Sequence, residues 1–406
     1  MSQTTDQYLP WFLLKNIPGV GNILFRRLIE RFGSPDNVLN AHRHDLISIK
    51  GMGSKVLSAL LSPAFRSYQV VDELKNEIKQ IDKSGFKIVT MVENNYPSLL
   101  KQIPDLPPYF TYIGSLDIIT DQFQLPSIAI VGSREATPYG LNSAEKLAHD
   151  LVSNGFEVIS GMAIGIDTAA HKGALRAGGR TVAVLGSGLC KIYPSENREL
   201  FYKIADNGAV ISEFKVNSEP EGRHFPMRNR IIAGMSLGTV VVEAAEKSGS
   251  LITARLSAEY NREVFAVPGD IHSFKSAGTH ALLKQGAKLV ANYMDVVEEL
   301  NFFCSALSSG ISAANPVVTQ TATRLPSKRA QNQKKAEASN ELPLLFEPDK
   351  YQSAVLNILQ QYPVHIDLII NQSGLDAGGI TAALMDLELM GIVKRSPGKM
   401  FYKVKE

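Results

Sequence analysis

Between Ile128 and Val290 the chain carries seven short apolar runs, rich in β-branched residues and separated by amphipathic stretches of helix length. They fall at 128–132, 157–161, 181–186, 209–213, 239–244, 263–269 and 287–290. No other feature restricts the fold so much, because a strand apolar along its whole length is hidden on both faces and needs crossover helices to hide it. The expected fold is α/β: a doubly wound, mostly parallel sheet of Rossmann-like type.

The flanks read differently. Residues 1–90 read as short helices with an internal repeat. Ile17-Pro18-Gly19-Val20-Gly21 returns as Ile49-Lys50-Gly51-Met52-Gly53, and each copy precedes a helix-like stretch, Asn22 to Phe32 and Ser54 to Leu61. This is a helix-hairpin-helix or SAM-like pattern, and the residues alone leave open whether it touches DNA or only packs. The sheet domain with its lead-in is placed at 91–300. Residues 301–348 read as a flexible linker: from Ser305 to Leu342 the chain loses periodicity and holds five Lys/Arg against two acids. Residues 349–406 read as a winged helix, with helices at Ala354–Gln361, Ile366–Gln372 and Gly379–Met390 and a basic wing from Ile392 to Val404. Its third helix has Thr381, Asp386 and Glu388 as polar residues, so protein contact or stabilisation is favoured over duplex reading.

A chain of 406 residues with 44% hydrophobic content can bury more than one core. No window approaches the roughly 18 apolar residues of a membrane span, and the N-terminus lacks signal-peptide features, so no membrane is involved and a cytoplasmic setting is expected. Cys190 and Cys304 match no zinc or redox spacing, and neither metal nor cofactor is expected. A net charge of +2 is too mild to indicate a polyanion partner by itself.

In an open parallel sheet, ligands sit beyond the carboxyl ends of the strands. Here those ends lead into Gly132-Ser133-Arg134, into Ser160-Gly161 with Asp167 and His171 following, and into Gly186-Ser187-Gly188. The fourth leads to a loop with Phe225, Arg228, Asn229 and Arg230, the fifth to Glu243 and Ser248-Gly249-Ser250, and the sixth to Gly269-Asp270. Glycine admits close approach of an oxyanion, serine adds a donor, and arginine presents a planar fork to phosphate. Together they point to phosphate or nucleic acid. Asp167 and Glu243 read as loop acceptors or caps, and His171 as packing, rather than as catalytic groups.

The ordered set VGSR, SGMAIGIDTAAHKGAL, TVAVLGSGLCKIYPSEN, HFPMRNRIIAG, VVEA…SGSLITA, VFAVPG and GTHALLKQGAKLV resembles the DNA-processing protein A (DprA/Smf) family. The resemblance implies a non-enzymatic recombination mediator. Such a protein binds incoming single-stranded DNA without sequence specificity, protects it, and loads the RecA recombinase in natural transformation. It also implies a homodimer formed through the Rossmann-like domain. Carried over motif by motif, Arg134, Ser160, Gly161, Gly186, Ser187, Gly188, Arg228, Asn229 and Arg230 should line the DNA groove. From its position in the sequence, Phe225 is the nearest candidate to stack on bases. Cys190 stands where the family commonly has aspartate. Two alternatives remain. One is a nucleotide-processing enzyme of the nucleoside monophosphate hydrolase type, built around Ser236-Leu237-Gly238-Thr239 and Glu243. The other is a winged-helix regulator of duplex promoters.

Overall fold

The computed structural model describes residues 3–116, 126–300, 349–359, 364–390, 392–396 and 400–403. The expected linker lies outside these residues, as does the tip of the expected wing. The chain divides into two compact units, Met1–Asn315 and Pro316–Glu406.

The first unit is built on a nine-stranded sheet. Its strands are β1 (Lys87–Thr90), β2 (Tyr109–Gly114), β3 (Ser127–Val131), β4 (Glu157–Ser160), β5 (Thr181–Val184), β6 (Ala209–Ser212), β7 (Gly238–Val241), β8 (Glu263–Ala266) and β9 (Lys288–Leu289). The order is β1-β2-β6-β5-β4-β3-β7-β8-β9. Strands β3 to β9 run parallel, and β1 and β2 are antiparallel. The seven strands read from the sequence are all present. The two strands of the antiparallel end of the sheet were not anticipated, and β1 falls within residues expected to be helical.

Alternation along the buried strands assigns the helices to their faces. Ile128 and Ile130 of β3 pack with the helices Pro138–Ser153 and Ile166–Arg176. Ala129 and Val131 face the opposite way, toward the helices His224–Gly234 and Ser250–Glu259. The N-terminal helices share one core with the helix Arg198–Asn207 through Phe25, Leu28, Phe201 and Ile204. Burying each such side chain contributes about 1.5–3 kcal/mol.

Both repeated turns form, in the same conformation. Gly19 and Gly51 have φ of +85° and +98°, values that favour glycine. Gly21 and Gly53 then begin the helices Asn22–Phe32 and Ser54–Leu61.

The second unit has helices Lys350–Ile358, Ile366–Ser373 and Ala377–Leu389, with a three-stranded sheet of β10 (Val364–His365), β11 (Val393–Ser396) and β12 (Met400–Lys403). This is a winged helix. Its first helix starts earlier than expected because Asp349 and Gln352 form a reciprocal capping box. Among the described residues, no helix is long and apolar enough to cross a membrane.

Candidate functional site

The connections leaving β3 go to one side of the sheet, and those reaching β7 go to the other, so the β3/β7 junction is where strand order reverses. That is the place where an open α/β sheet forms a crevice. A cleft of about 810 Å³ opens there. It gathers Gly132, Ser133 and Arg134 from the end of β3, Phe225, Arg228 and Asn229 from the helix His224–Gly234, and Ser248, Gly249 and Ser250 from beyond β7. Four cations line it, Arg134, Arg228, Lys247 and Lys275, against two acids, Glu135 and Asp167. The Arg134 guanidinium lies 4.8 Å from the centre of the Phe225 ring, and Arg134 is exposed.

The segment from Phe225 to Arg230 corrects the sequence reading, which made it a loop. It is helical because Pro226 falls in the first turn, where a missing N–H costs nothing. Successive residues on a helix point about 100° apart, so Arg228, Asn229 and Arg230 cannot share one groove. Arg228 is buried and donates to the carbonyls of Gly161 (2.7 Å) and Val184, at the ends of β4 and β5. Burial pushes its pKa down to about 10, Asp167 opposes that and Arg134 adds to it, so it stays charged at neutral pH. Asn229 donates to the Gly249 carbonyl at 3.3 Å. Arg230 points elsewhere: it is buried, ion-paired to Glu213 and 3.5 Å from Asp105, and does not line the cleft.

Other expected residues stand behind the cleft wall. The Ser160 hydroxyl donates to the Ile130 carbonyl at 2.7 Å. Gly161 backs Arg228 so closely that a Cβ there would lie 2.1 Å from Nη1. Gly186 backs Phe225, Gly188 packs on the backbone of Lys215 and Val216, and the Ser187 hydroxyl donates to the Lys191 carbonyl. None of these five lines the cleft. They shape its wall because small residues let the strand ends approach Arg228 and Phe225. Cys190 is exposed and is also outside the lining.

A family model described as DNA recombination-mediator protein A matches residues 87–301, more than half of the chain. A second, described as the DprA winged helix domain, matches residues 337–399. Protein Smf of Synechocystis is 33% identical over 403 residues, covering 97% of this chain and 98% of that protein. The chain belongs to the DNA recombination-mediator protein A family. DNA processing protein DprA of Streptococcus pneumoniae is 43% identical over 217 residues, 53% of this chain and 75% of that protein. The X-ray structure of the same pneumococcal protein superposes with a TM-score of 0.58 at 34% identity, covering 73% of this chain and 98% of that one.

In this DprA-family chain the cleft also holds residues that the sequence reading missed: Tyr193, Lys247, Phe274 and Lys275. Tyr193 sits 5.8 Å from Phe225, ring centre to ring centre. Phe274 is 70% exposed and carries the Lys275 ammonium 5.8 Å from its ring. The adjacent Phe274-Lys275 pair just after Gly269-Asp270 was the available signal, since an aromatic beside a cation in a strand-end loop suits a nucleobase with its phosphate. Glu243 turns away from this cleft. Its carboxylate accepts from the Thr137 amide (2.8 Å) and hydroxyl, and it lines a separate hollow with Asp270.

Proposed function

We propose that this chain binds single-stranded DNA without sequence preference in the cleft at the β3/β7 junction. The observation that carries the proposal is the composition of that cleft. Three rings, Tyr193, Phe225 and Phe274, stand among four cations, and the exposed Arg134 and Phe274 are free to meet a ligand. Cations grip a backbone whatever its sequence, and every base has a face on which a ring can stack. A duplex hides those faces, so unpaired strands are preferred. Gly132, Ser133 and Gly249 let a ligand approach the backbone, and the Ser248 and Ser250 hydroxyls, hydrogen-bonded to each other, leave one hydroxyl hydrogen for it.

Family membership supports the wider role: protecting an incoming strand and handing it to a RecA recombinase as a homodimer in the cytoplasm. Two acids that the nucleotide-hydrolysing alternative would call on are engaged elsewhere: Glu243 is held by Thr137, and Asp167 accepts from the amides of Gly161 (3.1 Å) and Ala163 (3.3 Å) beside Arg228. No free base should appear when the protein is incubated with nucleotides.

The two kinds of contact separate in a salt titration. Arg134→Ala should weaken all single strands alike and flatten the slope of log affinity against log salt by about 0.7, one phosphate contact. Phe274→Ala should cost about 1–3 kcal/mol and leave the slope unchanged. If neither variant altered binding in an anisotropy titration, the cleft would not be the binding site.

A further inference from the structure

We propose that a bound strand continues past Arg134 into a second hollow, where Lys172 takes the phosphate of an additional nucleotide. This rests on the reading of the main cleft as a single-strand site and extends the path of the strand beyond it.

The second hollow measures about 350 Å³ and shares Arg134 and Glu135 with the main cleft, so the two meet at the exposed arginine. Its walls include Leu141 and Thr168, and Lys172 stands at its rim. The volume is at the lower end of the range for small-ligand pockets, about 300–1,000 Å³, while the main cleft is near the upper end. One nucleotide therefore suits the second hollow and more than one the main cleft.

Charge points the same way. Glu145 also lines the hollow but is committed to Arg176 at 2.7 Å. Glu199, the acid on which Lys172 exerts a field, is paired with Lys203 at 2.6 Å. Lys172 is exposed and has no ion pair among the described residues. Arg134 and Lys172 thus flank the hollow as cations with no committed carboxylate, against the single rim acid Glu135. A polyanion crossing from one to the other meets positive charge at both ends, and the apolar wall of Ala136, Leu141 and Ala169 faces its base or sugar.

The position of Lys172 is fixed by packing. It lies on the helix Ile166–Arg176 between the fully buried His171 and Gly173. Gly173 meets the helix Pro138–Ser153 so closely that a Cβ would lie 2.1 Å from the Glu145 carbonyl. The helix N-terminus does not supply the site. The amides of Ile166, Thr168 and Ala169 already donate to the carbonyls of Ser133, Ala163 and Gly165 at 3.1, 3.1 and 3.0 Å. Side-chain cations are what remain for the ligand.

The test is a length series. Full-length wild type, Lys172→Glu, Arg134→Ala and the control Lys79→Glu are titrated with oligothymidylates from about 4 to about 16 nucleotides, the span of single-strand site sizes. Lys79 is exposed on the N-terminal helix Tyr68–Lys83 and lines neither hollow, so its reversal reproduces only the change in net charge. The expected result is that K172E matches wild type on the shortest strands that bind. On longer ones it falls by about tenfold, with a salt slope smaller by about 0.7, while K79E behaves as wild type throughout. K172E binding like wild type at every length, with R134A still weakened, would overturn the second hollow alone. So would K172E and K79E weakened equally at all lengths. A wild-type protein that bound no single strand would remove the main-cleft reading and this extension together.

Discussion

Arg134 follows the end of β3 and Arg228 reaches the ends of β4 and β5 from a helix, and burial gives them different parts. Arg134 is exposed over Phe225 and is free to meet a phosphate, whereas Arg228 is buried and donates from Nη1 to the carbonyls of Gly161 and Val184. His171 behind them is a third case. Thr181 Oγ1 donates to the Val158 carbonyl (2.7 Å), so it accepts from Nδ1 of His171 at 2.7 Å, and Nε2 is the bare, buried nitrogen. Burial, aided by the charge of Arg228, pushes the His171 pKa down to about 3. An unfolded histidine titrates near 6.5, so between these values the unfolded chain binds a proton that the folded one refuses. Stability from this residue is fully present above about pH 6.5 and is lost as pH falls toward about 3. Urea unfolding across that window should show a slope that His171→Gln reduces by up to about 1.4 kcal/mol per pH unit. An unchanged slope in the variant would mean that His171 does not hold its neutral form in the fold.

The helix His224–Gly234 decides what the site contains, because it carries three polar residues into three surroundings. Arg228 joins it to the ends of β4 and β5 beside Asp167, and Arg230 joins it to Glu213 and Asp105. Asn22, the first residue after the first repeated turn, donates to the same Glu213 at 2.9 Å, so the N-terminal helices reach this network as well. Arg228→Ala should lower unfolding stability, because it leaves the buried carbonyls of Gly161 and Val184 without their donor and removes the charge that favours the Asp167 carboxylate. Loss of binding without loss of stability in R228A would make its guanidinium a ligand group rather than a support of the cleft wall. The seven parallel strands were legible in the sequence because apolar runs of that length have few other uses. Their loops were legible because strand ends in such a sheet converge. Arg230 was misjudged because a motif gives the order of residues and not the direction of each on a helix. Tyr193, Phe274 and the two lysines were missed because single residues in loops carry no period. The antiparallel strand β2, with its aromatic run between Pro108 and Gly114, was missed because it lies outside the stretch that carries the parallel pattern.

At the scale of the whole molecule, the family match covers the sheet from β1 onward and the winged helix separately. The site needs only the first, since every residue lining the cleft lies between Val131 and Lys275. The winged helix is therefore expected to add partner contacts or stability rather than the grip on DNA. The measurement that bears most directly on the account is an anisotropy titration of the full chain with one sequence as a single strand and as its duplex, at several salt concentrations. Tighter binding of the single strand, undiminished when the base sequence is scrambled and weakened steadily by salt, is the expected result. Equal or tighter binding of the duplex, or affinity indifferent to salt, would contradict it.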